Sequence, residues 1–121
     1  MSLVEEIYRL TKDFPKEEIY GLSSQMRRAS VGIPTNITEG YQRHHTKEYI
    51  QFLYIAKSSA AELETLLDIS ARLNFINSID CSKTNYLLSE ILKMLTAMIS
   101  KLKSKLITSN TNPYTLNPIP S

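Results

Sequence analysis

The sequence predicts an all-α protein, and three observations carry that expectation. Apolar residues recur at three- and four-residue steps over four separate stretches, the period of an amphipathic helix. No stretch alternates apolar and polar residues as a half-buried strand does, and no internal repeat appears. Proline, glycine or polar clusters punctuate the stretches, so each is bounded by a turn.

The first stretch, residues 2–12, carries Leu3, Val4, Ile7, Tyr8 and Leu10 and is ended by Phe14-Pro15. At barely three turns it is thin for a full member of a bundle and reads as a shortened start. The second helix is expected to begin near Pro15–Glu18. Proline suits a first turn, and Glu17 and Glu18 complement the positive end of the helix dipole. Ile19, Leu22, Met26, Ala29, Ile33 and Ile37 then fall on one side at 100° per residue. Pro34 removes the hydrogen bond to the Ser30 carbonyl, but the apolar register continues from Ile33 to Ile37. One helix kinked at Pro34 is therefore expected, ending near Gly40 and Gln42-Arg43-His44-His45.

Thr46 suits the N-cap of a third helix. Tyr49, Phe52, Leu53, Ala56, Ala60, Leu63, Leu67 and Ser70 form its main face, and Ala56, Ser59 and Ala60 are small enough for a neighbour to approach closely. Ile50, Tyr54, Ile55, Ala61 and Ile69 lie off that face. A helix apolar on two sides is buried on two sides, and in a chain this small the second side is assigned to another subunit. Tyr20, Val31, Ile50, Tyr54 and Ala61 are accordingly the candidate contacts between subunits.

Phe75 and Ile76 are placed to staple the turn that follows, and Ser78 is the expected cap of a fourth helix with Asp80 in its first turn. Leu88, Ile91, Leu92, Leu95, Met98, Ile99, Leu102 and Leu106 give the most regular stripe in the chain. From residue 108 the text turns to Asn, Thr and Pro without charge. The expected organisation is one helical domain over residues 1–107 and a flexible tail over 108–121.

Composition narrows the function classes. The 121 residues suffice for one core, and 42% apolar with 21% charged residues is ordinary for a soluble chain. The single cysteine, Cys81, excludes an intrachain disulfide. No run of about 18 apolar residues predicts a membrane span. The N-terminus, with Glu5, Glu6 and Arg9, does not read as a signal peptide, which makes the cytoplasm the default compartment. The net charge of +2 is small but alternates: residues 1–24 and 48–80 are acidic, residues 25–47 and 81–121 basic. Such alternation suits helix-to-helix complementarity first and a binding patch second.

Catalytic chemistry finds little footing. His44 and His45 are adjacent and would point about 100° apart on a helix, and no Glu-x-x-His pair exists, so no metal and no cofactor are expected. Cys81 has no histidine in its own segment and reads as a small packed side chain. Gly21, Gly32 and Gly40 are too dispersed for a phosphate loop. An enzyme is not expected. What remains is a basic set, Arg27, Arg28, Arg43, His44, Lys47, Lys101 and Lys105, with Tyr20 and Tyr41 available to stack on bases. Two readings stand open for it: phosphate contacts with RNA or DNA, or solvated faces paired with Glu5, Glu6, Glu62 or Glu64.

Several blocks carry a family resemblance: Phe14-Pro15-Lys16-Glu17-Glu18-Ile19-Tyr20-Gly21-Leu22, Gln25-Met26-Arg27-Arg28-Ala29, Ile33-Pro34-Thr35-Asn36-Ile37-Thr38-Glu39-Gly40, Tyr49-Ile50-Gln51-Phe52-Leu53-Tyr54-Ile55-Ala56 and Ser59-Ala60-Ala61-Glu62-Leu63-Glu64. In that order they resemble the four-helix-bundle proteins encoded in intervening sequences of bacterial 23S rRNA genes, sometimes labelled S23 ribosomal protein-like. The resemblance runs from about Leu3 to Leu106. It implies an antiparallel up-down-up-down bundle and a ring-shaped homopentamer. The family is also similar to the accessory variability protein of diversity-generating retroelements, a basic bundle that binds nucleic acid and a reverse transcriptase. That similarity implies Arg27, Arg28 and Arg43 as phosphate contacts and a polymerase as a protein partner. The sequence departs from the family pattern in having no tryptophan, in a short first helix, and in Thr38 where alanine is usual. The functional expectation is a non-enzymatic, oligomeric bundle that binds RNA or DNA through a basic rim, with a purely structural or protein-interaction scaffold as the alternative.

Overall fold

The computed structural model describes residues 2–110. It contains four helices: α1 (Leu3–Thr11), α2 (Leu22–Tyr41), α3 (Thr46–Arg72) and α4 (Ser78–Asn110). A single 3-10 turn, Lys16–Glu18, lies between α1 and α2. Among the described residues α1 runs close to α2 and α4, and α3 close to α2 and α4, while the backbones of the diagonal pairs stay apart. That closed ring of neighbours is a four-helix bundle.

Cross-helix pairs fix the directions. Met26 meets Ser70, Gly32 lies against Ser59, and Gly40 lies against Phe52 and Tyr49, so α2 and α3 are antiparallel. Arg9 reaches Asp80, whereas Leu3 and Val4 lie beside Ile91 and Met94, so α1 runs against α4. Lys103 near the end of α4 sits over Tyr54 near the start of α3. The chain therefore goes up, down, up and down.

The helices are unequal, with 9, 20, 27 and 33 residues. At 1.5 Å per residue α1 covers only about 14 Å of a bundle whose α4 is about 50 Å long. Its start is nevertheless well defined. The Ser2 hydroxyl accepts from the Glu5 N–H and the Glu5 carboxylate accepts from the Ser2 N–H, a reciprocal capping box. The Ser2 backbone bond, more than the hydroxyl, holds the Glu5 carboxyl below the usual carboxylate range. At the other end of α1, Arg9 pairs with Glu6 at 2.7 Å and with Asp80 at 3.3 Å, which raises its guanidinium pKa further, Glu6 contributing most.

The core is built from the expected stripes. Ile7, Met26, Leu53, Leu63, Leu67, Leu88 and Leu95 are fully buried, and Ala56 and Ala60 form the close seam of α3. The Phe14 and Phe75 rings, 5.3 Å apart, close the end where α1 stops and α4 begins, with Ile76 buried beside them. α2 runs unbroken through Pro34, with Ile33 buried and Ile37 half-buried on the same side. None of the described helices is long and apolar enough to cross a membrane.

Several local expectations are corrected. α2 does not start at Pro15–Glu18: the chain makes a 3-10 turn there and breaks at Gly21. The Glu18 carboxylate then accepts from the Leu22 N–H at 3.1 Å, and the Ser23 hydroxyl donates to the Glu18 carbonyl. Ile19, assigned to the core stripe, is left 55% exposed outside the helix. Thr46 is not the cap of α3 but its first residue; His45 holds the cap position in extended backbone without a side-chain bond. Ser78 likewise lies inside α4, because the Asn77 side chain accepts from the Asp80 N–H at 2.8 Å and donates back to the Asp80 carboxylate. α4 continues through Asn110, past the expected boundary at 107, and the rest of the expected tail lies outside the described residues.

The largest correction concerns α3. Ile50 is 8% exposed and belongs to the chain's own core, as does Leu66. α3 lies between α2 and α4, and of its second apolar side Ile50 alone is covered within the chain among the described residues. Tyr54, Ile55, Ala61 and Ile69 do remain exposed.

Candidate nucleic-acid interface

The expected basic rim divides between the two ends of the bundle. Arg27 and Arg28 lie in the second turn of α2, beside the end of α1. Arg43, His44 and Lys47 lie beyond the other end of α2, about 20 Å along the helix axis. His44 and Lys47, with Leu106 from α4, line a shallow depression there, and Lys101 and Lys105 are exposed on α4. Arg43 is engaged: it pairs with Glu39 at 3.2 Å and lies 4.8 Å over the Phe52 ring.

The Arg27–Arg28 end forms a built cleft. It is open, has a volume of about 720 Å³, and runs between the end of α1, the 13–19 connection and the outward side of α2. Four cations line it, Lys12, Lys16, Arg27 and Arg28, and no carboxylate does. Tyr8, Ile19 and Val31 supply exposed apolar surface, and Thr11, Ser23, Ser24 and Thr35 supply hydroxyls.

Arg27 is held in place from both sides. Its Nε donates to Thr11 Oγ1 at 2.8 Å, and its guanidinium lies 4.6 Å from the centre of the Tyr8 ring. Thr11 is itself buried, and its hydroxyl donates to the Ile7 carbonyl at 2.7 Å. A fixed, half-buried guanidinium loses less freedom on meeting an anion than a waving surface cation does. Arg28 is exposed and donates to Ser24 Oγ at 3.4 Å.

The pairing of the arginines separates this cleft from the rest of the surface. Arg9, Arg43 and Arg72 each have a carboxylate partner. Arg27 and Arg28 have none among the described residues. The expected pairing with Glu5, Glu6, Glu62 or Glu64 is thus absent at these two positions; Glu6 is taken by Arg9.

Lys12 and Lys16 were not among the sequence candidates. They lie in residues 1–24, a segment acidic overall, so the segment sum hid them. Their signal was positional: the connection after a short first helix must turn back beside the start of α2. Of the candidate subunit contacts, Tyr20 is 94% exposed in that connection and Val31 lines the cleft, whereas Tyr54 and Ala61 lie on α3.

An all-α four-helix bundle with a cationic cleft beside its second helix is the class that fold and site define. Residues 1–97 match the family model described as the 23S rRNA-intervening sequence protein, and the chain belongs to that family. Among solved structures it is similar to a Bacteroides thetaiotaomicron protein of unknown function from the S23 ribosomal protein family. The two are 26% identical with a TM-score of 0.71, over 79% of this chain and 87% of that one. No match is found among curated proteins.

Proposed function

We propose that this protein is a non-catalytic, self-associating bundle that binds the phosphate backbone of RNA or DNA through the Lys12–Lys16–Arg27–Arg28 cleft. One observation carries the reading. In a chain of net charge only +2, four cations share one concave site, and among the described residues no carboxylate lines it and its two arginines have no carboxylate partner while the other three do. Cations gathered in this way reinforce one another's field, which attracts a polyanion more strongly than an isolated charge. Ile55 and Ile69, left 48% and 40% exposed on α3, support self-association.

Fluorescence anisotropy with a labelled oligonucleotide tests the binding. Four neutralised phosphates predict that single-strand affinity falls about 50-fold between about 50 and 200 mM salt. Arg28→Glu with Lys16→Glu, both at exposed positions, is expected to weaken binding and flatten the salt dependence without changing the circular dichroism. Lys101→Glu with Lys105→Glu is expected to do neither. No binding at low salt, or binding untouched by the first pair, contradicts the proposal.

A further inference from the structure

The same cleft says which form of nucleic acid fits it. Resting on the reading above, we infer that the cleft selects single strands, seating an unstacked base against apolar side chains while the neighbouring phosphates meet the cations. Charge alone does not discriminate, because single strand and duplex both offer phosphates; they differ in that a duplex keeps its base faces stacked inside. The site is an open cleft of about 720 Å³, wide enough to admit an unstacked base along its wall.

Its wall is also mixed in a particular way. Ile19 is 55% exposed, Tyr8 45% and Val31 40%, and all three line the cleft together with the four cations. Single-strand sites combine a cationic groove with side chains that meet base faces, most often aromatic ones; here Tyr8 is the aromatic member and Ile19 and Val31 add aliphatic surface. A duplex would engage the cationic margin and leave Ile19 and Val31 against water. The Arg27 guanidinium takes one face of the Tyr8 ring, and Tyr8, Ile19 and Val31 together form the apolar surface open to bases.

The test compares a labelled 12-nucleotide RNA single strand with its blunt duplex on the full chain, in low salt. The single strand is expected to bind at least about tenfold more tightly, and Ile19→Ser with Val31→Ser to cost it about tenfold, the scale of partial apolar burial lost at two side chains. The salt slope of that variant is expected to equal the parent's, since the phosphate contacts remain. Both side chains are exposed, and unchanged circular dichroism shows that the fold is kept. Equal or tighter duplex binding overturns the inference, as does a serine variant that binds the single strand like the parent. In those outcomes Arg28→Glu with Lys16→Glu still weakens both probes, and the proposed function stands. Failure of both probes to bind removes the function and this inference together.

Discussion

Gly40→Ala and Gly32→Ala place the same methyl group on one helix with opposite expected results. A Cβ at Gly40 meets Phe52 Cβ and Tyr49 Cδ1 at 2.8 Å and the Tyr49 carbonyl oxygen at 3.2 Å. Two of these atoms are fixed close to the α3 backbone, so no side-chain rotation relieves the contact and the helices must part. Overpacking of this kind costs about 1–3 kcal/mol. The gain in helix propensity, at most about 1 kcal/mol in mid-helix, is smaller here because Gly40 is the penultimate residue of α2. A net loss of about 1–2 kcal/mol is expected, a fall in Tm of roughly 4 °C or more for a domain of this size. At Gly32 the contact is Ser59 Oγ at 3.1 Å, which a serine rotamer can move away. There the propensity gain of up to about 1 kcal/mol dominates, and Gly32→Ala is expected to be neutral or stabilising. Urea and thermal unfolding followed by circular dichroism measure both. A Gly40→Ala protein as stable as the parent would show that α2 and α3 do not approach this closely.

Two further outcomes concern the helix starts. Asn77→Ala is expected to cost about 0.5–2 kcal/mol by removing the bond to the Asp80 N–H, while Ser78→Ala stays within about 0.5 kcal/mol; the reverse order in urea unfolding contradicts the assignment. Glu5, with its pKa lowered in the folded chain, stabilises α1 above its unfolded-state value of about 4.3, and that contribution disappears as pH falls through the folded-state value. The Tm difference between the parent and Glu5→Gln is therefore expected at pH 7 and expected to shrink towards zero as pH falls below the lowered folded-state value. A difference independent of pH would remove Glu5 ionisation from the account.

Most of the fold was legible in the sequence because burial here follows helical period. The α3 and α4 stripes follow the helical period, although Ile50, Leu66 and Thr84 are buried outside the expected faces, and α2 continues through Pro34 because Ile33 and Ile37 keep one register. The starts of α2, α3 and α4 were not legible, since a cap is a one-residue decision between neighbours of similar chemistry, as Asn77 and Ser78 show. The two-sided apolarity of α3 was real, but Ile50 is covered by the chain itself. The site was half legible. Arg27 and Arg28 stood out, yet their company was misassigned, because charge counted along the chain cannot reveal that Lys12 and Lys16 return to α2 while Arg43 and His44 lie at the far end. That Arg27 and Arg28 have no acidic partner among the described residues is a tertiary fact: Glu6 is committed to Arg9, and Thr11 and Tyr8 take up Arg27 instead.

Backbone amide shifts recorded while a short unlabelled single strand is titrated into the isotopically labelled protein test the central claim most directly. The account predicts shifts concentrated at Lys12, Lys16, Ser24, Arg27, Arg28 and Gly32, with residues 43–47 and 101–105 unmoved. Shifts confined to the His44–Lys47 end, with the cleft silent, would contradict it.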